Sequence, residues 1–192
     1  MNADLQKLGR RLVGRWTTEA THPGLPGAIV TGSSEIEWLE GEHFLIYRSG
    51  YDHPDIPDSI SIIGDTEGLH MHYFDTRGVH RILKVTVTRE GWEMAMDRHS
   101  SAGSFASPDA PFSQRMTYTF EDEDRTMSGK AMLSFDDVNW DDDLEITYRL
   151  EGRMSSTRTR ADLGIALTIG QAGLLGRAKG RRKDPPKRPA LA

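Results

Sequence analysis

Cysteine is absent from the 192 residues, which removes disulfides and thiolate metal sites and argues against a secreted disulfide scaffold. Long apolar runs are absent too. No stretch approaches the roughly 20 apolar residues that carry a helix across a bilayer. The opening MNADLQKLGRRLVGRW lacks the apolar core of a secretory signal. There is no Gly-x-Ser-x-Gly elbow, phosphate loop or dinucleotide fingerprint. These absences predict a cytoplasmic chain that binds rather than catalyses; no residue is assigned a catalytic role.

Charge is present but unevenly placed. Residues 1–152 hold 14 Lys and Arg against 27 Asp and Glu, a net −13, whereas residues 153–192 hold 10 against 2, a net +8. Such a break predicts an acidic domain over 1–152 and a basic tail over 153–192, partly helical or disordered. The acidic domain suits neither nucleic acid nor an anionic membrane. In the tail, residues 163–175 are apolar but interrupted by Gly164, Gly170 and Gly173, and KGRRKDPPKRP follows. The tail holds no aromatic ring to stack on bases, so no nucleic-acid partner is expected. Contact with a membrane surface through Arg181, Arg182 and Lys183, or self-association into a homodimer, are alternative uses of it.

Short alternating runs rich in Val, Ile, Thr, Tyr, Phe and Trp, cut by Gly, Pro and Asp, predict strands at 13–21, 28–39, 43–51, 59–65, 68–75, 79–88, 91–98, 112–120, 126–136 and 142–152. One helix precedes them, ADLQKLGRRL, with Leu5, Leu8 and Leu12 on one face. Strand follows strand with short connections and no interleaved helix. The predicted class is all-β, a closed antiparallel up-and-down barrel of about ten strands, because closure removes exposed edges.

The run LHMHYFDTRGVHRILKV holds His70, His72 and His80. A three-residue turn at Thr76-Arg77-Gly78, with Gly78 left-handed, pairs Phe74 with His80, Tyr73 with Arg81, His72 with Ile82, Met71 with Leu83 and His70 with Lys84. Alternation then sends Leu69, Met71, Tyr73, Arg81, Leu83 and Val85 inward and all three histidines outward, with Lys84 opposite His70. That arrangement predicts a solvent-facing histidine patch and no metal site, since a dication would face an ammonium with no carboxylate beside it. Asp137, Asn139 and Asp141 have the spacing of a calcium loop, but Asp142 stands where that loop needs glycine and Tyr148 where it needs glutamate. An acidic turn is the expectation there.

The inward faces predict the lining of a cavity: Met71, Tyr73, Arg81, Leu83, Trp92, Met94, Met96, Gln114, Met116, Tyr118 and Tyr148. Thioethers and rings around a few polar groups make an adaptable apolar pocket, and a ten-stranded barrel is wider than side chains fill comfortably. An inward Arg81 calls for an acid, and Asp75 is the expected partner, with a ligand carboxylate or phosphate as the alternative.

Gly14 and Trp16 in LVGRW resemble the Gly-x-Trp of lipocalin-like (calycin) barrels, where the Trp plugs the closed end beneath a basic residue; Arg149 and Arg153 are the candidates here. GRWTTEATHPGLPG, WLEGEHFLIYRS, MHYFDTRGVHR, FSQRMTYTF and SGKAMLSFDDVNW, spanning about residues 8–150, resemble uncharacterised bacterial members of that superfamily. Fatty-acid-binding-protein-like barrels and the nitrobindins, haem-binding barrels of ten strands, are more distantly similar. That resemblance implies a small, largely apolar ligand, and alternatively a haem that acts on reactive nitrogen species or a cofactor-free isomerase. The chain departs from the nitrobindin pattern: Thr18 and Ala20 replace its glycines, and the last histidine is His99. No cofactor is therefore assigned.

Overall fold

The structure, a computed structural model, describes residues 2–65, 67–98 and 112–154. A helix, α1 (Ala3–Leu12), precedes ten strands: β1 (Gly14–Thr21), β2 (Val30–Trp38), β3 (Phe44–Tyr51), β4 (Ser59–Asp65), β5 (Leu69–Asp75), β6 (His80–Val87), β7 (Gly91–Met96), β8 (Ser113–Glu121), β9 (Thr126–Ser134) and β10 (Asp141–Gly152). Each strand pairs antiparallel with its sequence neighbours, and β1 pairs with β10, so the sheet closes. Strand alternation turns one side chain in two toward the axis, as the β1 pattern of buried and exposed residues records.

α1 closes one end. Asn2 caps it by accepting from the Asp4 and Leu5 N–H groups, at 2.9 and 3.1 Å. Asp4 in the first turn and Arg10 and Arg11 in the last suit the helix dipole. Leu5, Leu8 and Leu12 are fully buried in the barrel end; each stabilises the closure by roughly 1.5–3 kcal/mol. The polar face binds all four hairpins at that end: Asn2 to Asp65, Gln6 to the Glu42 carbonyl, Lys7 to the Thr88 carbonyl and Arg11 to Asp124. Gly9 lets Trp38 approach, since a Cβ there would lie 2.0 Å from its ring.

Trp16 is fully buried under the helix and donates from Nε1 to the Leu12 carbonyl at 2.8 Å. Arg153 supplies the covering cation, its guanidinium 5.8 Å from the Trp16 ring, and it donates to the carbonyls of Arg10, Arg11 and Asp124. Arg149 faces outward toward Glu19 instead. At the other end, the mouth, lie the loops 22–29 and 52–58, whose Leu25 and Ile56 pack on the core. The tail expectations concern residues 153–192, of which all but Arg153 and Met154 lie outside the described residues. Among the described residues no helix is long and apolar enough to cross a membrane.

Candidate functional site

The turn after β5 is closed by Gly78 N–H donating to the Asp75 carbonyl at 2.9 Å, with Gly78 at φ +81°. It sets the pairing His70–Lys84, Met71–Leu83, His72–Ile82, Tyr73–Arg81 and Phe74–His80. The histidines therefore project outward. His80 stacks on Phe74 at 4.5 Å and on His72 at 5.8 Å. Partial burial, then the neighbouring His80 and His70, holds the His72 imidazole below its ordinary pKa. Exposed Ile60, Ile62, Phe74 and Ile82 share this outer face. Among the described residues no cluster of His, Asp and Glu is arranged to hold a metal ion.

The acidic turn after β9 is organised by Asp136, which accepts from the Val138 and Asn139 N–H groups and from the Asn139 amide. Those donors hold its carboxyl well below the usual range. The strand predicted over 126–136 ends earlier, at Ser134, and Phe135 beyond it is exposed.

All eleven predicted lining residues lie on inward faces, but they do not form one uniform pocket. Near α1 the interior is filled. Trp92 stacks on Tyr118 at 4.4 Å and donates to the Met127 sulfur at 3.4 Å, while Tyr118 and Tyr148 meet edge to face at 6.0 Å. Gly129 makes this possible, for a Cβ there would come 2.6 Å from the Tyr118 ring. Above them Met94 pairs with Met116 across β7 and β8, and Met71 with Leu83 across β5 and β6. The Tyr118 hydroxyl donates to the Met116 sulfur at 3.0 Å. Toward the mouth, Met96 pairs with Gln114 and Tyr73 with Arg81; Tyr51, Tyr73, Arg81, Gln114, Leu133 and Leu144 are only half-buried although they face inward.

A second group of inward residues comes from β1–β4. The Tyr47 hydroxyl donates to that of Tyr148 at 2.7 Å, and the Ser34 and Ser49 hydroxyls are 2.9 Å apart. Ser61 is buried nearby on β4, and the buried Thr18 hydroxyl has no hydrogen-bond partner among the described residues. Burial pushes the Tyr47, Tyr118 and Tyr148 hydroxyls far above the ordinary tyrosine value and raises that of Tyr51. They remain neutral at any physiological pH. Sequence reasoning missed this group because serine and glycine break the apolar alternation. The usable signal was FLIYRSGY, in which Leu45, Tyr47, Ser49 and Tyr51 fall on one face.

The expected Arg81–Asp75 pair does not form. Asp75 accepts instead from Arg77 Nη2 at 2.6 Å, the Arg77 N–H at 2.9 Å, the Tyr73 hydroxyl at 3.1 Å and the Val79 N–H at 3.3 Å. Arg77 wins because it sits two residues away in the same turn. Burial raises the Asp75 carboxyl, but these donors outweigh it and bring the pKa below the ordinary value. The Arg81 guanidinium lies over the Phe112 and Tyr73 rings, 4.9 and 5.9 Å from their centroids. Burial lowers its pKa.

Haem, which the resemblance brought as an alternative, does not fit the described interior. No strand directs a histidine inward: His70, His72 and His80 face out, and His22 at the mouth is hydrogen-bonded to Asp143 at 3.1 Å. The buried tyrosines are neutral and hydrogen-bonded to one another or to sulfur. Outside the barrel a groove of about 790 Å³ runs along β1, β10, β9 and β8 and includes none of the eleven residues. Its Lys130 is engaged by Asp142 at 2.9 Å and Glu145 at 3.7 Å.

Among solved structures, the chain is similar to the crystal structure of Rv2717c from M. tuberculosis. The match has a TM-score of 0.58 at 13% identity and covers 79% of this chain and 99% of that one. At that identity the likeness speaks for the fold. No protein-family model and no curated protein sequence matches the chain. What the likeness supports is the closed ten-strand antiparallel barrel itself.

Proposed function

We propose that this protein is a lipocalin-like barrel that binds a small, largely apolar molecule in the mouth half of its lumen, without catalysis. The observation that carries the reading is the change in lining along the axis. Trp16 and Trp92 are packed solid near the helix, whereas inward-facing Tyr51, Tyr73, Gln114, Leu133 and Leu144 keep exposed surface toward the mouth. Methionines at Met71, Met94 and Met116 lie between these zones, and Met96 lies beside Gln114 toward the mouth. Thioethers adapt to varied shapes and give good dispersion contacts. The neutral hydroxyls of Tyr47, Ser34 and Ser49 offer hydrogen bonding without a charge to desolvate. No described constellation joins a nucleophile to a base, which supports binding over chemistry.

The calycin affiliation draws support from Trp16 with Arg153 over its ring. A cytoplasmic setting, and a domain ending at 152 before a basic extension, belong to the same reading. The test is a fluorescence titration with the neutral dye N-phenylnaphthylamine. The wild type enhances its emission saturably, while Met94→Arg, which charges the lumen, and Met116→Trp, which fills it, each weaken binding at least tenfold. Binding undiminished in both variants contradicts the proposal.

A further inference from the structure

Charged side chains that face inward are the rarest groups in a barrel lumen, and Arg81 is one. It projects from β6 over the rings of Phe112 and Tyr73. Among the described residues no carboxylate comes within ion-pair distance of its guanidinium. Among the described residues, the two acids whose charge acts on it are engaged. Asp75 already accepts from two groups of Arg77, from the Tyr73 hydroxyl and from the Val79 N–H. Asp143 is hydrogen-bonded to His22 at 3.1 Å. Stacking over two rings recovers part of what a half-buried cation loses on leaving water, on the order of 0.5–2 kcal/mol. It leaves the guanidinium's five planar donors unused.

The flanking residues define what would engage those donors. Arg77 is committed to Asp75 and Arg98 to Asp137, so among the described residues Arg81 is the mouth guanidinium without an acid partner, with Asp75 and Asp143 nearby. A dianionic phosphate would bring more negative charge than one guanidinium balances and would be repelled by Asp75 and Asp143. A carboxylate matches the guanidinium in charge and in its planar, two-pronged geometry. Below Arg81 on the same face is Leu83, which pairs with Met71. A ligand held by its acid group at Arg81 would therefore extend an apolar body into the methionine-lined lumen.

We infer that Arg81 is a recognition residue for the carboxylate of a monoanionic amphiphile whose apolar body occupies the lumen. The inference deepens the function proposed above and rests on it, adding the chemical class of the ligand and its orientation, acid group toward the mouth. Tyr73 is a positioning residue here. Its ring supports the guanidinium from one side, and its hydroxyl, by donating to Asp75, helps keep that acid away from Arg81.

The experiment titrates the full-length protein with two fluorescent probes, dansylaminoundecanoic acid and its methyl ester, which differ only in the charge of the head. The wild type should bind the acid at least tenfold more tightly than the ester, in line with a charge-assisted hydrogen bond of about 1.5–3 kcal/mol. Arg81→Gln should abolish that preference, weakening the acid at least tenfold and leaving the ester within twofold. Arg81→Lys should retain part of it. The Arg81→Gln thermal midpoint should stay within a few degrees of wild type, because no salt bridge is lost. Equal affinity for acid and ester in the wild type, or a preference that survives Arg81→Gln, overturns the inference while leaving lumen binding intact. Failure of the wild type to bind either probe counts against lumen binding itself, and with it the inference.

Discussion

Tyr47 and Tyr148 place two hydroxyls 2.7 Å apart in the interior, each ring almost fully buried. Removing one oxygen strands the other. Tyr47→Phe is expected to destabilise the fold by about 1–3 kcal/mol, and the Tyr47→Phe, Tyr148→Phe double variant by less than the sum of the singles, as read from urea denaturation. The same residues set a dependence on pH. Their folded pKa values lie above the unfolded value of about 10. Above that pH the unfolded chain releases protons that the folded chain retains, so stability falls as pH rises from about 10 toward the folded values. Denaturation midpoints should decline over that window, and less steeply in the double variant. Which residues point inward was readable where apolar alternation was strong, as on β7 and β8. It was not readable on β2 and β3, where Ser34 and Ser49 face the lumen yet look like surface residues. The partner of Arg81 was also misread, because a face assignment does not reveal that Arg77, from within the turn, reaches Asp75 first.

Two turns illustrate how elements are fixed in register. Gly78, at φ +81°, closes the β5–β6 hairpin, and a Cβ there would meet nothing within 4 Å. The cost of Gly78→Val is thus conformational rather than steric, roughly 1–2 kcal/mol, measurable by denaturation. The β8–β9 turn holds Asp122, Glu123 and Asp124 all at positive φ, between 50° and 64°. Arg11 and Arg153 anchor it through Asp124. Glu123→Gly is expected to stabilise by about 0.5–1 kcal/mol, since it relieves a left-handed residue that neither anchor touches. The first turn was legible from Asp-Thr-Arg-Gly, because a glycine at the left-handed position has a recognised role and determines which residues face each other. The second was legible only as a charged connection. Nothing in Glu-Asp-Glu-Asp announces three left-handed residues, which the helix contacts help hold in place. Strand ends were read within about two residues; β7 and β9 each stop two residues short of expectation, and the early end of β9 leaves Phe135 outside.

At the scale of the whole molecule, closure follows from the sequence's rhythm: ten alternating runs with short connections leave two edges, and β1 meeting β10 removes both. The helix then converts an open tube into a cup, with Trp16 and the leucines of α1 as its base. That division into a packed base and a looser mouth was not legible, because it depends on how ring volumes distribute along an axis that periodicity does not describe. Occupation of the mouth half by a ligand separates a binding barrel from a filled one, and methyl NMR of the methionines reads it. On titration with N-phenylnaphthylamine, the Met71, Met94, Met96 and Met116 methyl signals should shift saturably. Met127, fully buried at the base, and Met132, on the outer face of β9, should not. Shifts confined to Met132, or none in the lumen methionines at saturating dye, would show that the mouth half takes up no ligand.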